Sequence, residues 1–183
     1  MDDLVDGRCG WAGSDPLYVA YHDEEWGRPL HGDDALFGLL TLEGFQAGLA
    51  WITILRKREA FRAAFADFRI ATVASFDEGE VERLLGDAGI VRHRGKIEAA
   101  IGNARAALAL PDGLDALVWS FAPAPRRRPR SFGEVPAKTP ESETLSKELR
   151  RRGFRFVGPT IVYAFMQSAG LVDDHLAGCE TAP

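Results

Sequence analysis

The chain has two cysteines and four histidines, and four of these six residues form two pairs, one near each end. Cys9 and His22 stand in a C-x12-H spacing. His175 and Cys179, within "DDHLAGC", are four apart, the separation that puts two side chains on one face of a helix. Together they make Cys2His2, the ligand number and kind of a closed tetrahedral zinc (Zn2+) site. Such a site is structural, because it ties the termini together and leaves no position for an activating water. The competing interpretation is plain burial, with the cysteines as small apolar residues and the histidines as surface or satisfied core groups. A single Cys9–Cys179 disulfide is a further option that a reducing compartment disfavours.

A second group has the chemistry of a pocket. Glu43 sits in the apolar run "LTLEGFQAGLAWITIL", where a carboxylate must find a partner, take up a proton or face a cavity. Trp51 follows eight residues later, near the same helical phase. Trp11, Tyr18, Tyr21 and Trp26 fall within sixteen residues of one another. Aromatics at this density build either core or a ring-walled pocket suited to stacking on a flat, cationic heterocycle. Glu43 itself could equally turn outward or pair with an arginine.

The third group is basic. In "LLGDAGIVRHRGKIEAAIGNARA" a Gly-containing turn joins two helical patterns, with Gly89, Arg92, His93, Arg94 and Lys96 around it. The arrangement resembles a helix–hairpin–helix, whose turn amides and second-helix N-terminus can hold a DNA phosphate. Charge is distributed to match. Net charge is −5 overall, but residues 1–91 carry −9 and residues 92–155 carry +7. "RRRPR" at 126–130 and "RRRGFR" at 150–155 offer more phosphate contacts, or stand as solvated loops and caps.

The elements that must position these groups are helical nearly throughout. Ser14 or Asp15 caps a helix that starts at Pro16 and stops before Gly27 and Pro29. An apolar-periodic stretch runs from Asp33 to Phe65, with a break near Gly44 or Gly48. Further helices are expected at 78–87, from His93 through "ALAL", around 114–121, from Thr139 and Pro140 to Gly153, and over 159–169. "PAPRRRPR" is a loop, and "FRFV" at 154–157 is the one candidate strand. The expected fold class is all-α: one compact unit over 1–183, with the pocket helices and hairpin at about 33–155 and a metal-stapled part made by both terminal segments. No apolar run reaches the ~18 residues needed to cross a membrane, and the acidic opening MDDLVDGR lacks an apolar signal region. The expected address is cytoplasmic, the expected state a monomer.

"RCGW", "DPLYVAYHDEEWG", "LEGFQAGLAWITIL", "DAGIVRHRGKIEAAIGNARA", "GFRFVGPTIVYAFMQ" and "LVDDHLAGC", in this order over residues 8–179, resemble the DNA-3-methyladenine glycosylase I family of helix–hairpin–helix proteins. The resemblance implies an all-α fold and removal of N3-methyladenine from alkylated double-stranded DNA, with 3-methyladenine as the released base. It implies a structural zinc on Cys9, His22, His175 and Cys179. It assigns base recognition to Glu43 and Tyr21, a stacking face to Trp51, and pocket walls to Trp11, Tyr18 and Trp26. Glu43 is the leading candidate for activating the water. Leu49 is a candidate wedge for the vacated base stack or a core leucine, and Gly89, Arg92, Arg94 and Lys96 are candidates for DNA contact. Ala50 departs from the small hydroxyl residue expected before the tryptophan. Asp112 and Asp115 lie where related glycosylases carry a catalytic aspartate, but the family resembled lacks one. A monofunctional enzyme is expected, since the apolar stretches carry no lysine for a Schiff base. The rival function is a non-catalytic, zinc-stapled DNA-binding or damage-sensing module, and 3-methylguanine is the rival substrate.

Overall fold

The computed structural model describes residues 3–181 and Pro183. Nine α-helices account for most of them: α1 (Pro16–Glu24), α2 (Asp33–Gln46), α3 (Trp51–Ala64), α4 (Ile70–Ala74), α5 (Glu78–Gly86), α6 (Arg94–Leu108), α7 (Gly113–Trp119), α8 (Pro140–Arg151) and α9 (Pro159–Ser168). The all-α expectation holds. Helix starts follow the chemistry of their caps. The Asp15 carboxylate accepts the Leu17 N–H ahead of Pro16, and Thr139 and Ser142 form a reciprocal capping box ahead of α8.

Helix α2 is apolar on nearly every face, which dictates a central position. Leu36, Phe37, Leu40 and Phe45 are all buried, and α2 packs against α3, α6, α7 and α9. Phe45, Phe61, Phe65 and Phe68 stack in succession with ring centroids 4.8–6.2 Å apart. Each such side chain contributes roughly 1.5–3 kcal/mol by leaving water. The break in the long stretch falls after Gln46. Gly48 has φ +84°, a conformation open to glycine, and reverses the chain so that α3 returns beside α2. Glu43 and Trp51 therefore lie on two helices meeting at a turn, not at one phase of a continuous helix.

Two local expectations are corrected. "FRFV" is not a strand. Its backbone groups bond to side chains: Asn103 accepts from the Arg155 N–H (2.8 Å) and donates to its carbonyl (3.0 Å), and Ser146 donates to the Val157 carbonyl (2.6 Å). Phe156 has φ +54°, which no extended strand allows. The two strands found among the described residues are β1 (Leu4–Val5) and β2 (Arg8–Cys9), an antiparallel hairpin turned by Asp6–Gly7, both at positive φ. Residues 173–179 are likewise not helical. His175 and Cys179 approach through a turn in which the Cys179 N–H donates to the Leu176 carbonyl (2.8 Å).

Candidate active site and metal centre

A cavity of about 240 Å³ opens between α1, α2 and α9. Tyr18 and Tyr21 project from one face of α1, Trp51 begins α3, and Trp11 comes from the short 3-10 turn Gly10–Ala12. With Trp26 these rings line the cavity, so all five aromatics singled out in the sequence meet there. Ring contacts hold the wall together: Trp11 meets Tyr18 (5.1 Å) and Trp26 (4.9 Å) edge-on, and Tyr21 lies tilted against Trp51 at 5.5 Å.

Glu43 enters the same cavity from α2. It is 3% exposed, and its Oε1 accepts a hydrogen bond from the Ser168 hydroxyl at 2.8 Å. Ser168 Oγ in turn accepts from the Tyr21 hydroxyl at 3.2 Å. The chain of donors runs from Tyr21 through Ser168 to Glu43. Among the described residues Glu43 Oε2 has no partner, which leaves it for a ligand. Burial pushes the carboxyl up to about 7, and the Ser168 hydrogen bond opposes this only in part. Burial and the Glu43 charge also raise the Tyr21 phenol, so Tyr21 stays a neutral donor.

Sequence reasoning missed Ser168, Gln46, Gln167, Phe132 and Asp174, which share this lining. Asp174 is buried, but both its oxygens are engaged: Oδ1 by Arg126 (2.6 Å), Oδ2 by Gln167 (2.9 Å) and the Tyr163 hydroxyl. The hydrogen bond from the Arg126 guanidinium is charge-assisted, and each Asp174 oxygen already has a protein partner.

Behind the rings lies the terminal ligand group. The ligand atoms of Cys9, His22 and Cys179 all stand within 4.8 Å of one another, and all three residues are buried. These three could hold a metal ion. His175 falls outside that tight trio, although its ring is 5.0 Å from His22 and fully buried. Its own chemistry matches theirs. Nδ1 of His175 is 2.9 Å from Asp173, Nδ1 of His22 is 2.8 Å from Asp23, and Nε2 of His175 is buried with no partner among the described residues. A carboxylate on each Nδ1 selects the tautomer whose Nε2 lone pair is free, as in carboxylate–histidine–metal arrangements. The Leu176 N–H points at Cys9 Sγ (3.3 Å) and would stabilise a thiolate. Burial pushes the Cys9 thiol up to about 12; a divalent cation offsets that penalty by binding the deprotonated form. Gly27 leaves room for the group: with φ +77°, any Cβ there would stand 2.6 Å from the His175 ring.

The Cys/His group and the cavity share a wall. The Trp26 ring is 4.6 Å from His175 and Trp11 is 5.1 Å from His22. Fixing the terminal ligands thus fixes two walls of the pocket.

At the hairpin, α5 and α6 are joined by a turn in which the Gly89 N–H donates to Asp87 (2.7 Å) and Lys57 holds the Ala88 and Gly89 carbonyls (3.0 and 3.1 Å). The four hairpin positions separate by what they touch. Arg92 is exposed. Arg94 pairs with Glu78 (2.7 Å), Glu82 and Glu98 (3.5 Å). Lys96 turns inward, donating to the Phe45 (2.8 Å) and Ala47 (2.7 Å) carbonyls at the end of α2. Leu49 is not a core leucine: it is 39% exposed at the tip of the α2–α3 turn, beside Gln46 of the pocket.

A family model described as methyladenine glycosylase matches residues 11–182. The chain is 52% identical over 180 residues to the DNA-3-methyladenine glycosylase 1 of Escherichia coli strain K12, covering 94% of this chain and 95% of that one. It is 44% identical over 178 residues to the DNA-3-methyladenine glycosylase of Haemophilus influenzae, covering 94% and 96%. A crystal structure of a 3-methyladenine DNA glycosylase I superposes with a TM-score of 0.92 at 50% identity, over 96% of this chain and 100% of that one. The Staphylococcus aureus 3-methyladenine DNA glycosylase I, solved for its recognition of 3-methyladenine, gives 0.92 at 36% identity over 97% of each. The aromatic cavity with one buried carboxylate thus sits in a chain that belongs, over nearly its whole length, to the methyladenine glycosylase family.

Proposed function

We infer that this chain is a base-excision DNA repair glycosylase that draws an alkylated nucleotide out of double-stranded DNA and hydrolyses its N-glycosidic bond. It releases N3-methyladenine and leaves an abasic site. One observation carries this: a buried carboxylate with a free oxygen inside a box of aromatic rings. A base within a duplex is out of reach, so it must be turned into the cavity and read on its edge. N3-methylation makes the nucleotide cationic. Tyr18, Tyr21, Trp11, Trp26 and Trp51 offer electron-rich faces to that charge, and Glu43 supplies the anion.

The bond-breaking step needs little acid catalysis, because the leaving ring is already positive. The electron pair of the broken bond goes to the base and neutralises it, while water oxygen bonds to the sugar carbon. Glu43 accepts hydrogen bonds from the base through Oε2, and it is the group we assign to take the proton of the water, since both Asp174 oxygens are occupied. Tyr21 and Ser168 hold the carboxylate in place. No lysine is among the lining residues, which favours water over a Schiff-base nucleophile and a monofunctional enzyme.

Cys9, His22, His175 and Cys179 hold a structural Zn2+ in this proposal. It supplies no chemistry to the reaction and fixes Trp11 and Trp26 through the ligand histidines. On the DNA side, exposed Leu49 fills the gap left by the flipped base, and Gly89 and Arg92 meet the backbone. Lys96 shapes the hairpin from within, while Arg94 stays on the surface, paired with Glu78, Glu82 and Glu98. The test is base release from methylated duplex DNA, with the freed bases separated by chromatography. 3-Methyladenine is expected to appear well above its spontaneous rate. Its failure to do so overturns the assignment.

A further inference from the structure

Much of the positive charge near the hairpin is already engaged by carboxylates and carbonyls. The segment 126–130 is arranged differently. Four of its five residues are arginines, and the fold sorts them into two kinds. Arg126 reaches inward to Asp174 (2.6 Å) and the Tyr163 hydroxyl, and Arg128 to Asp173 (2.5 Å) and the Pro183 carbonyl (2.8 Å). Pro129 is buried, and its carbonyl accepts the Ala177 N–H (2.9 Å). These anchors pin the strap onto the loop that follows α9. Arg127 and Arg130 are exposed, and among the described residues neither guanidinium has a carboxylate within 4.0 Å.

The strap edges a groove of about 320 Å³ formed by Arg126 to Arg130 with Glu134 and Asp174. Glu134 is the one opposing charge not held by an arginine side chain, and its carboxylate is bonded to the Arg130 backbone N–H (2.7 Å). Asp174 belongs to both this groove and the aromatic cavity, and Phe132 and Val135, just downstream, line the cavity. The groove and the base pocket are therefore neighbours along one wall.

We propose that this strap is a phosphate clamp: Arg127 and Arg130 bind the backbone of duplex DNA beside the nucleotide whose base enters the pocket. The proposal rests on the glycosylase function inferred above. The chemistry suits phosphate, since a guanidinium presents a planar fork of donors to two oxygens. Anchoring by Arg126 and Arg128 lowers the ordering entropy lost when DNA binds. Contacts of this kind position the duplex and carry no base preference. The inward arginines scaffold the strap, and the outward pair does the binding.

The experiment compares the full-length, metal-loaded protein with the double variant Arg127→Ala/Arg130→Ala, and with the charge-keeping Arg127→Lys/Arg130→Lys. Binding to an undamaged duplex is followed by fluorescence anisotropy across a salt series, and binding of free 3-methyladenine by tryptophan fluorescence. Loss of two phosphate contacts makes the slope of log affinity against log salt shallower by about 1.8, at ~0.9 per contact. The lysine pair retains most of the slope, and free-base affinity is unchanged in both. A double-alanine slope equal to the parent's overturns the clamp. So does a changed free-base affinity with an unchanged slope, which would make the strap part of the pocket wall only. If the parent binds duplex but releases no 3-methyladenine, the glycosylase assignment fails, and the slope comparison still decides the clamp.

Discussion

Replacing Glu43 by Gln removes one ionisable group from an environment that resists its charge, and the consequence for stability follows from its pKa. The carboxyl is pushed up to about 7 from an ordinary 4.5 by burial on α2. Below pH 4.5 it is neutral in both the folded and unfolded states and carries no penalty. Between 4.5 and 7 the unfolded chain ionises first, so the folded state loses ground as pH rises. Above 7 the penalty is fully developed at about 3 kcal/mol, taking ~1.4 kcal/mol per pH unit of separation. Glutamine keeps the size and the acceptor for Ser168 but never ionises. The variant is therefore expected to gain on the parent steadily as pH rises from 4.5 to 8, by about 3 kcal/mol in all. Urea unfolding of both proteins, metal-loaded, at pH 5, 6, 7 and 8 measures it. Titration of other groups is common to both proteins and cancels in the difference. A difference that stays constant over this range would show that Glu43 ionises as a solvated carboxylate does, and the basis for its role would fall. Base release by the variant is expected to drop sharply while its stability at pH 8 rises.

Two other predictions concern the groups around it. Ser168→Ala removes the hydrogen bond that opposes the rise of the Glu43 pKa. The acid limb of the base-release pH profile should move up by about one unit, as expected for a hydrogen bond to a charged group. Ser168→Thr should restore it; a profile that does not move in the alanine variant refutes the donor chain. For the metal, elemental analysis of protein purified without chelator should give close to one zinc per chain. Stripping it should lower Tm, by ~2–4 °C for each kcal/mol of stability the metal contributes at this chain length. It should also weaken binding of 3-methyladenine, because His175 and His22 brace Trp26 and Trp11. Well under one zinc per chain, or an unchanged Tm after stripping, counts against the Cys2His2 site.

The sequence shows most clearly what local physics decides. Asp15–Pro16 and Thr139–Pro140 declare their helices by capping chemistry, and the all-round apolar pattern of α2 declares a central helix. Glu43 stood out because a carboxylate in such a helix needs a reason. Ser168 did not, because a serine at the end of an apolar helix is ordinary until its partner, 125 positions earlier, is known. Lys96 beside a turn reads as a free cation; only the packing of α6 against α2 shows it holding two carbonyls. The five-residue helix α4 is too short to show a period. "FRFV" has strand composition, yet Asn103 and Ser146 satisfy its backbone from elsewhere.

The role proposed for Glu43 ties the selectivity of the pocket to the same burial that weakens the fold above pH 7. Near neutrality Glu43 is divided between its two protonation states, and holding it ionised in an empty cavity is unfavourable. A neutral adenine does nothing to relieve that penalty, whereas an alkylated, cationic nucleotide places a positive charge within reach of the free Oε2. The interaction is differential by construction, so it favours the damaged base over the normal one by up to the burial penalty, about 3 kcal/mol or on the order of 100-fold. It also sets a pH dependence. As pH falls below 7 the competent anion becomes scarcer, and kcat/KM for 3-methyladenine release should drop about tenfold per unit. The aromatic faces, which do not titrate, keep their attraction for the cation at every pH. Binding of the damaged nucleotide should therefore weaken in acid by no more than that factor and then level off on the rings, while excision goes on falling. If excision levels off together with binding, Glu43 acts in recognition alone and the water is activated elsewhere.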